Sequence, residues 1–212
     1  MASQNDDDRP PIDPAESLRL IQRERAQTER VLTPDPRLLL WPWGIAWTVG
    51  FLCFFLSFGP DGRVFVSMPA WVPLTVLLTL LAAAGVTTSI ASARAGRWVS
   101  GPSNRQGGMY GLTWFVAFTG AFTVLARVGG NLPADKETLL WTGVMVALTG
   151  ALHMAGGVIF TDRSLFALGV WISVINVAGV LSGPGWHSLV VAVGGGGGML
   201  AAGTYQWLRL RP

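Results

Sequence analysis

LLLWPWGIAWTVGFLCFFLSF, residues 38–58, runs without one charged side chain. About 20 apolar residues, rising 1.5 Å each in a helix, cross the hydrocarbon of a bilayer. The run is therefore a membrane span. Five more stretches of that kind follow: Met68–Ser92, Tyr110–Val128, Thr138–Phe160, Leu165–Ser182 and His187–Leu208. None carries a charge in its middle. The sequence predicts an all-α polytopic membrane protein, with six transmembrane helices filling residues 37–212 and a cytoplasmic N-terminal segment, 1–36, before them.

Composition agrees. Charged residues make up 13% of the 212, against about 25% in an average soluble domain. Twenty-seven glycines and ten tryptophans fit membrane helices and their interfacial belts. The net charge of +3 is not a nucleic-acid footprint, because the excess of Arg lies on loops and near the C-terminus. A single Cys53 allows no internal disulfide and sits in an apolar run.

The N-terminal segment opens with a polar stretch, 1–12, that reads as disordered and contains no signal peptide. Asp13-Pro14-Ala15-Glu16 then reads as a helix start, with Asp13 as cap and Pro14 at the first helical position. The helix runs over about 14–32, and Thr33-Pro34-Asp35-Pro36 ends it. It is weakly amphipathic, suited to the membrane surface or to a cytosolic partner. Pro69 and Pro73 fall in the first turn of the second span, where proline is tolerated.

Loop charges orient the chain. With the N-terminus inside, Arg9, Arg19, Arg23, Arg25, Arg30, Arg37, Arg94, Arg97, Arg105, Arg163, Arg209 and Arg211 are cytoplasmic, against Arg63, Arg127 and Lys136 outside. The positive-inside rule then places both termini in the cytoplasm. Trp43-Gly44-Ile45-Ala46-Trp47, Tyr110-Gly111-Leu112-Thr113-Trp114 and Leu168-Gly169-Val170-Trp171 open the odd spans alike. That similarity is compatible with three helical hairpins, or with nothing more than a shared interface signal.

Asp13-Pro14-Ala15-Glu16-Ser17-Leu18 with its charged helix, Pro34-Asp35-Pro36, and Trp43-Gly44-Ile45-Ala46-Trp47 carry a resemblance. Mainly over residues 13–50, the chain resembles small multi-pass integral membrane proteins of high-GC actinobacteria. The resemblance implies a bacterial plasma-membrane protein and transfers no functional residue.

Two features inside the spans could carry function. The fourth and fifth spans are joined by only Thr161-Asp162-Arg163-Ser164, so they are adjacent and antiparallel. Reflection about that turn sets His153 opposite the level of Trp171–Ser173. Thr149 lies four residues before His153, and Asn176 three after Ser173, each pair on one helical face. His153, Asn176, Ser173 and Thr149 are thus a candidate polar membrane site about 10–15 Å from the cytoplasmic boundary. The same groups could equally form an interhelical hydrogen-bond staple. His187 reads as an ordinary polar residue at the outer interface. The second feature is Gly194, Gly195, Gly196, Gly197 and Gly198, a candidate hinge or close-packing surface, with Gly156-Gly157 as a surface it could meet.

What is missing narrows the function. There is no serine nucleophile on a tight glycine turn beside a histidine, no pair of histidines at one depth for haem, no metal cluster, and no Walker-type loop. No carboxylate lies inside a span. The sequence thus points away from an enzyme and from any cofactor, and towards a non-catalytic membrane subunit or regulator. The alternative is a small-solute permease or exporter acting as an oligomer. The expected partners are the lipid bilayer, a second copy or another membrane protein, and a cytosolic protein on the N-terminal helix, with no nucleic acid.

Overall fold

The computed structural model describes residues 13–32, 35–96 and 102–210. The polar stretch 1–12, the Thr33-Pro34 stop, Arg97 and Arg211 lie outside the described residues. All regular structure among the described residues is helical. Asp13 starts α1 (Pro14–Leu32) as the sequence predicts: its carboxylate accepts the Ala15 amide at 3.1 Å and its carbonyl the Glu16 and Ser17 amides at 2.9 Å. Leu18, Leu20 and Ile21 of α1 remain exposed.

Six helices long and apolar enough to cross a membrane follow. They are α2 (Pro36–Ser57), α3 (Trp71–Gly96), α4 (Pro102–Val128), α5 (Ala134–Ile159), α6 (Arg163–Ser182) and a composite sixth span. That span is α7 (Trp186–Val190), a π-helical turn (Val191–Gly196) and α8 (Gly197–Leu210). Pro69 lies before α3 rather than in its first turn; only Pro73 is inside the helix. Six crossings leave α2 and α8 with their outer ends at one face of the bundle, here called the terminal face.

Asp35 and Arg37 close that face. The Asp35 carboxylate accepts the Arg37 amide at 2.9 Å and its guanidinium at 2.7 Å. The guanidinium also lies over the Trp207 ring at 4.5 Å, tying the start of the first span to the end of the last. The Arg37 hydrogen bond holds the Asp35 carboxyl below its ordinary value. A depressed folded value means that the contribution is complete above the unfolded value of about 4 and is lost as pH falls through the folded one. Asp35→Ala removes a helix cap and an ion pair. It is expected to destabilise by about 0.5–2 kcal/mol at neutral pH, a difference that should narrow below about pH 4. Thermal unfolding of both proteins at pH 7 and pH 3 checks this.

The helices do not pair as three equal hairpins. α3 packs along α2, the sixth span wedges between α2 and α6, α5 packs closely along α6, and α4 touches α5 at only a few places. Glycine decides which pairs are close. A Cβ on Gly169 would lie 2.5 Å from the Met154 amide nitrogen and 2.7 Å from the Gly150 carbonyl. A Cβ on Gly157 would lie 2.6 Å from the Phe166 backbone. The α5–α6 turn is equally specific. Thr161 takes a left-handed φ of 54°, and the Asp162 amide returns to the Gly157 carbonyl at 2.8 Å. The Asp162 side chain then caps α6 through the amides of Ser164 (2.8 Å) and Leu165 (3.1 Å). Between α4 and α5 the ties are fewer: the Tyr110 hydroxyl donates to the Leu152 carbonyl at 2.7 Å, and the Gln106 amide to Ile159 at 3.2 Å. Only 6% of the α4 apolar window is buried, against 39% in α5, so α4 presents most of its surface to whatever surrounds the chain.

The core sits where α2, α5, α6 and the sixth span meet. Trp47, Phe51, Val146, Ile172, Val191, Ala192 and Met199 fill it, none more than 5% exposed.

Candidate functional site

The expected cluster of four does not assemble. His153 Nδ1 donates to the Thr149 carbonyl of its own helix at 2.8 Å, and its ring meets Trp114 of α4 edge-on at 5.2 Å. Thr149 donates to the Met145 carbonyl and Ser173 to the Gly169 carbonyl, at 2.8 and 2.9 Å, again within their own helices. The reason is azimuth. The stripe of α5 that faces α6 is Gly143, Gly150 and Gly157, where added Cβ atoms would meet Val180, Ser173 and Phe166. A seven-residue spacing is nearly two full turns. His153 lies off that stripe, towards α4, and so faces Trp114 instead of Ser173.

Asn176 does belong to a polar cluster, but its partner is His187. The Asn176 Nδ2 donates to the Gly143 carbonyl at 2.9 Å, and its Oδ1 meets His187 Nε2 at 2.9 Å. His187 Nδ1 meets Thr142 Oγ1 at 3.1 Å, and Thr142 donates to the Thr138 carbonyl at 2.8 Å. His187 is 1% exposed, so it is not an ordinary interface residue. Gly179 makes room: a Cβ there would lie 2.9 Å from His187 Cδ2. Phe51 of α2 packs on the other side, with ring centroids 6.5 Å apart.

The network specifies its own protons. A carbonyl only accepts, so the Gly143 oxygen fixes which end of the Asn176 amide faces it. The Asn176 oxygen must then face Nε2, and Nε2 must carry a hydrogen. In neutral imidazole Nδ1 becomes the acceptor, and the Thr142 hydroxyl must turn from Thr138 to meet it. In imidazolium Nδ1 donates to Thr142, whose hydroxyl stays on Thr138. Every polar atom of the set has a partner in either state.

Above this network a cavity of about 480 Å³ opens at the face opposite the termini, within the ordinary size range of ligand sites. Ser57, Asp61, Thr138, Thr142, His187 and Ser188 are among its walls, with Asp135 at its rim on the first turn of α5. Phe58, Val64, Leu139 and Pro184 supply apolar wall. Its loops are held tightly. Gly185, at φ 81°, passes so close to the α2–α3 loop that a Cβ would collide with the Pro60 backbone nitrogen. Beneath His187 come Phe51 and the packed core. Among the described residues no three His, Cys, Asp or Glu side chains are grouped to hold a metal ion.

Gly194, Gly195, Gly196 and Gly198 close-pack within the chain, and not on Gly156-Gly157, while Gly197 faces open space. Gly195 faces Trp47 and Gly196 faces Thr48 and the Gly44 carbonyl, all of α2; Gly194 faces Ile175 and Gly198 faces Trp171, both of α6. Gly156 and Gly157 instead receive Tyr110, Leu165 and Phe166. The run also hosts the π-helical turn: the Gly197 amide reaches the Ala192 carbonyl five residues back. The Gly194 carbonyl also accepts Trp171 Nε1 at 2.9 Å, and the Ala192 carbonyl also accepts the Thr48 hydroxyl at 3.3 Å. Single π turns often mark functional positions, and this one follows directly on α7, which carries His187.

Sequence reading missed His187 because its depth depends on the tight Gly183–Gly185 turn and on the absent side chain at Gly179. The signal was present as a histidine directly after a glycine-rich turn, with an asparagine eleven residues earlier in the adjacent helix. Comparison of the chain with protein-family models, curated proteins and solved structures finds no match.

Proposed function

We propose that the chain is a non-catalytic subunit or regulator in a bacterial plasma membrane, with both termini in the cytoplasm. The orientation rests on the twelve-to-three bias of loop and terminal Arg and Lys under the positive-inside rule. The observation that carries the functional reading is how the polar groups inside the bundle are used. Trp43 is tied to Thr88, Tyr110 to Leu152, Trp171 to Gly194, and Asn176 to Gly143 and His187. Groups engaged in joining helices are poor candidates for nucleophile or acid–base work on a substrate. The cavity described above ends on such a network, over a packed core.

A second reading, a small-solute permease, is favoured by one specific feature: the π-helical turn lies just below the cavity floor, where rewinding it would move His187. Purification of the full chain from its native membrane in mild detergent separates the two. Native mass spectrometry should show a stoichiometric complex with a second membrane or cytosolic protein, and loss of that complex on removal of residues 1–32. A homo-oligomer that moves small cations across proteoliposomes would overturn the subunit reading in favour of the permease.

A further inference from the structure

We infer that the cavity at the face opposite the termini is a binding site for a primary ammonium group. The inference goes beyond the subunit reading and holds equally for a permease.

The first observation is an orphan hydroxyl. Ser57 is 6% exposed, lines the cavity, and its Oγ has no hydrogen-bond partner. Ser and Thr inside membrane helices commonly donate to the carbonyl four residues back. Thr142, Thr149, Ser173, Ser182 and Thr204 all do so here. Ser57 departs from that habit at the wall of a cavity. Leaving a buried hydroxyl unpaired costs about 1–3 kcal/mol, which a ligand at this wall would recover.

The second observation is charge. The charged residues lining the cavity are Asp61 and Asp135, both carboxylates, and no Lys or Arg lines it. Asp61 sits at the loop tip with a left-handed φ of 57°. The N-terminus of α5 would by itself attract an anion, but Asp135 and Glu137 in its first turn offset that end. The remaining polar wall, Ser57, Thr138, Thr142 and Ser188, consists of hydroxyls whose oxygens can accept hydrogen bonds. A ligand must therefore be a cation that brings hydrogen-bond donors of its own.

A primary ammonium meets both conditions, since it carries one positive charge and three N–H donors. A bare divalent metal ion fits less well, because the walls are partly apolar and lack a third carboxylate or cysteine. Two sources present an ammonium at a membrane face: a free small amine, or the headgroup of an ethanolamine phospholipid.

The test uses the full chain in phosphatidylcholine nanodiscs. Ethanolamine is titrated while thermal unfolding and tryptophan fluorescence are followed; Trp186 stands beside the Gly185 wall. Ethylene glycol serves as the neutral counterpart, tetramethylammonium as a cation without N–H, and calcium chloride as a metal control. Ethanolamine should raise Tm saturably, and the three controls should not. Ser57→Ala should weaken the apparent affinity about ten-fold, and the double change Asp61→Asn with Asp135→Asn should abolish the response. Without ligand, Ser57→Ala should match or exceed the wild-type Tm, because it removes an unpaired buried hydroxyl, and the aspartate variant should retain it, because both aspartates are exposed. Should Ser57→Ala nonetheless misfold, the aspartate pair alone decides. If the headgroup is the source, nanodiscs containing phosphatidylethanolamine should show a raised starting Tm and a blunted response to ethanolamine. Equal responses to ethylene glycol, tetramethylammonium or calcium, an unaltered response in the aspartate variant, or no response to either source would overturn the inference. None of these results depends on whether a partner protein co-purifies.

Discussion

Gly196→Ala and Gly197→Ala, the same change at adjacent residues, are expected to move stability in opposite directions. A Cβ on Gly196 would lie 2.6 Å from the Thr48 amide nitrogen and 2.8 Å from the Gly44 carbonyl. Both are backbone atoms of α2, so no side chain can rotate away; the helices themselves must separate. Overpacking of this kind costs about 1–3 kcal/mol, sometimes more. The wedge between α2 and α6 would spread, and the Thr48–Ala192 and Trp171–Gly194 bonds would stretch with it. A Cβ on Gly197 meets nothing within 4 Å. There the alanine only removes the helix penalty of glycine, a gain of up to about 1 kcal/mol in water. At roughly 2–4 °C per kcal/mol for a chain of this size, Gly196→Ala should lower Tm by about 5 °C. Gly197→Ala should leave Tm unchanged or raise it slightly. Size-exclusion chromatography of heated, detergent-solubilised protein reads both. Equal losses at the two positions would mean that the five glycines act as a uniformly flexible segment and not as a fitted surface.

That contrast also marks how far the sequence can be read. Leu38–Phe58 and its five counterparts had to be spans, because no other structure satisfies their backbone in an apolar medium. The start of α1 at Asp13-Pro14 and the adjacency of α5 and α6 follow from local chemistry and a four-residue linker. The five glycines pointed to close packing, but not to which neighbour: Gly194, Gly195, Gly196 and Gly198 each meet a different residue and Gly197 meets none, because successive helical positions turn by about 100°. The candidate site was harder for the same reason. A hairpin reflection gives depth along the bundle, and it placed His153 near Ser173. It does not give rotation about the axis, which here is set by Gly143, Gly150 and Gly157. Asn176 was recognised as a buried polar group needing a partner; His187 became that partner only through a tight turn and a missing side chain at Gly179.

The second large effect follows from this exchange of partners. Asn176→Leu leaves the Nε2 hydrogen of His187 and one lone pair of the Gly143 carbonyl without their partner, away from water. Stranding a buried polar group costs about 1–3 kcal/mol. His187→Phe strands Asn176 Oδ1 in the same way, while keeping a ring against Phe51. Made together, the two changes remove both halves of the bond, so the double variant should recover part of the sum. The coupling energy should fall in the range of about 0.5–3 kcal/mol found for residues in contact. The matching cycle between Asn176→Leu and His153→Leu should be additive to within about 0.5 kcal/mol, because His153 is tied to Thr149 and Trp114 and not to Asn176. Equilibrium unfolding of the four proteins of each cycle in one detergent supplies the numbers. Measurable coupling of Asn176 to His153, with none to His187, would restore the four-residue site and undo the pairing of Asn176 with His187. Coupling to His187 alone places the interhelical polar network of Asn176 at the opposite face, directly beneath the cavity.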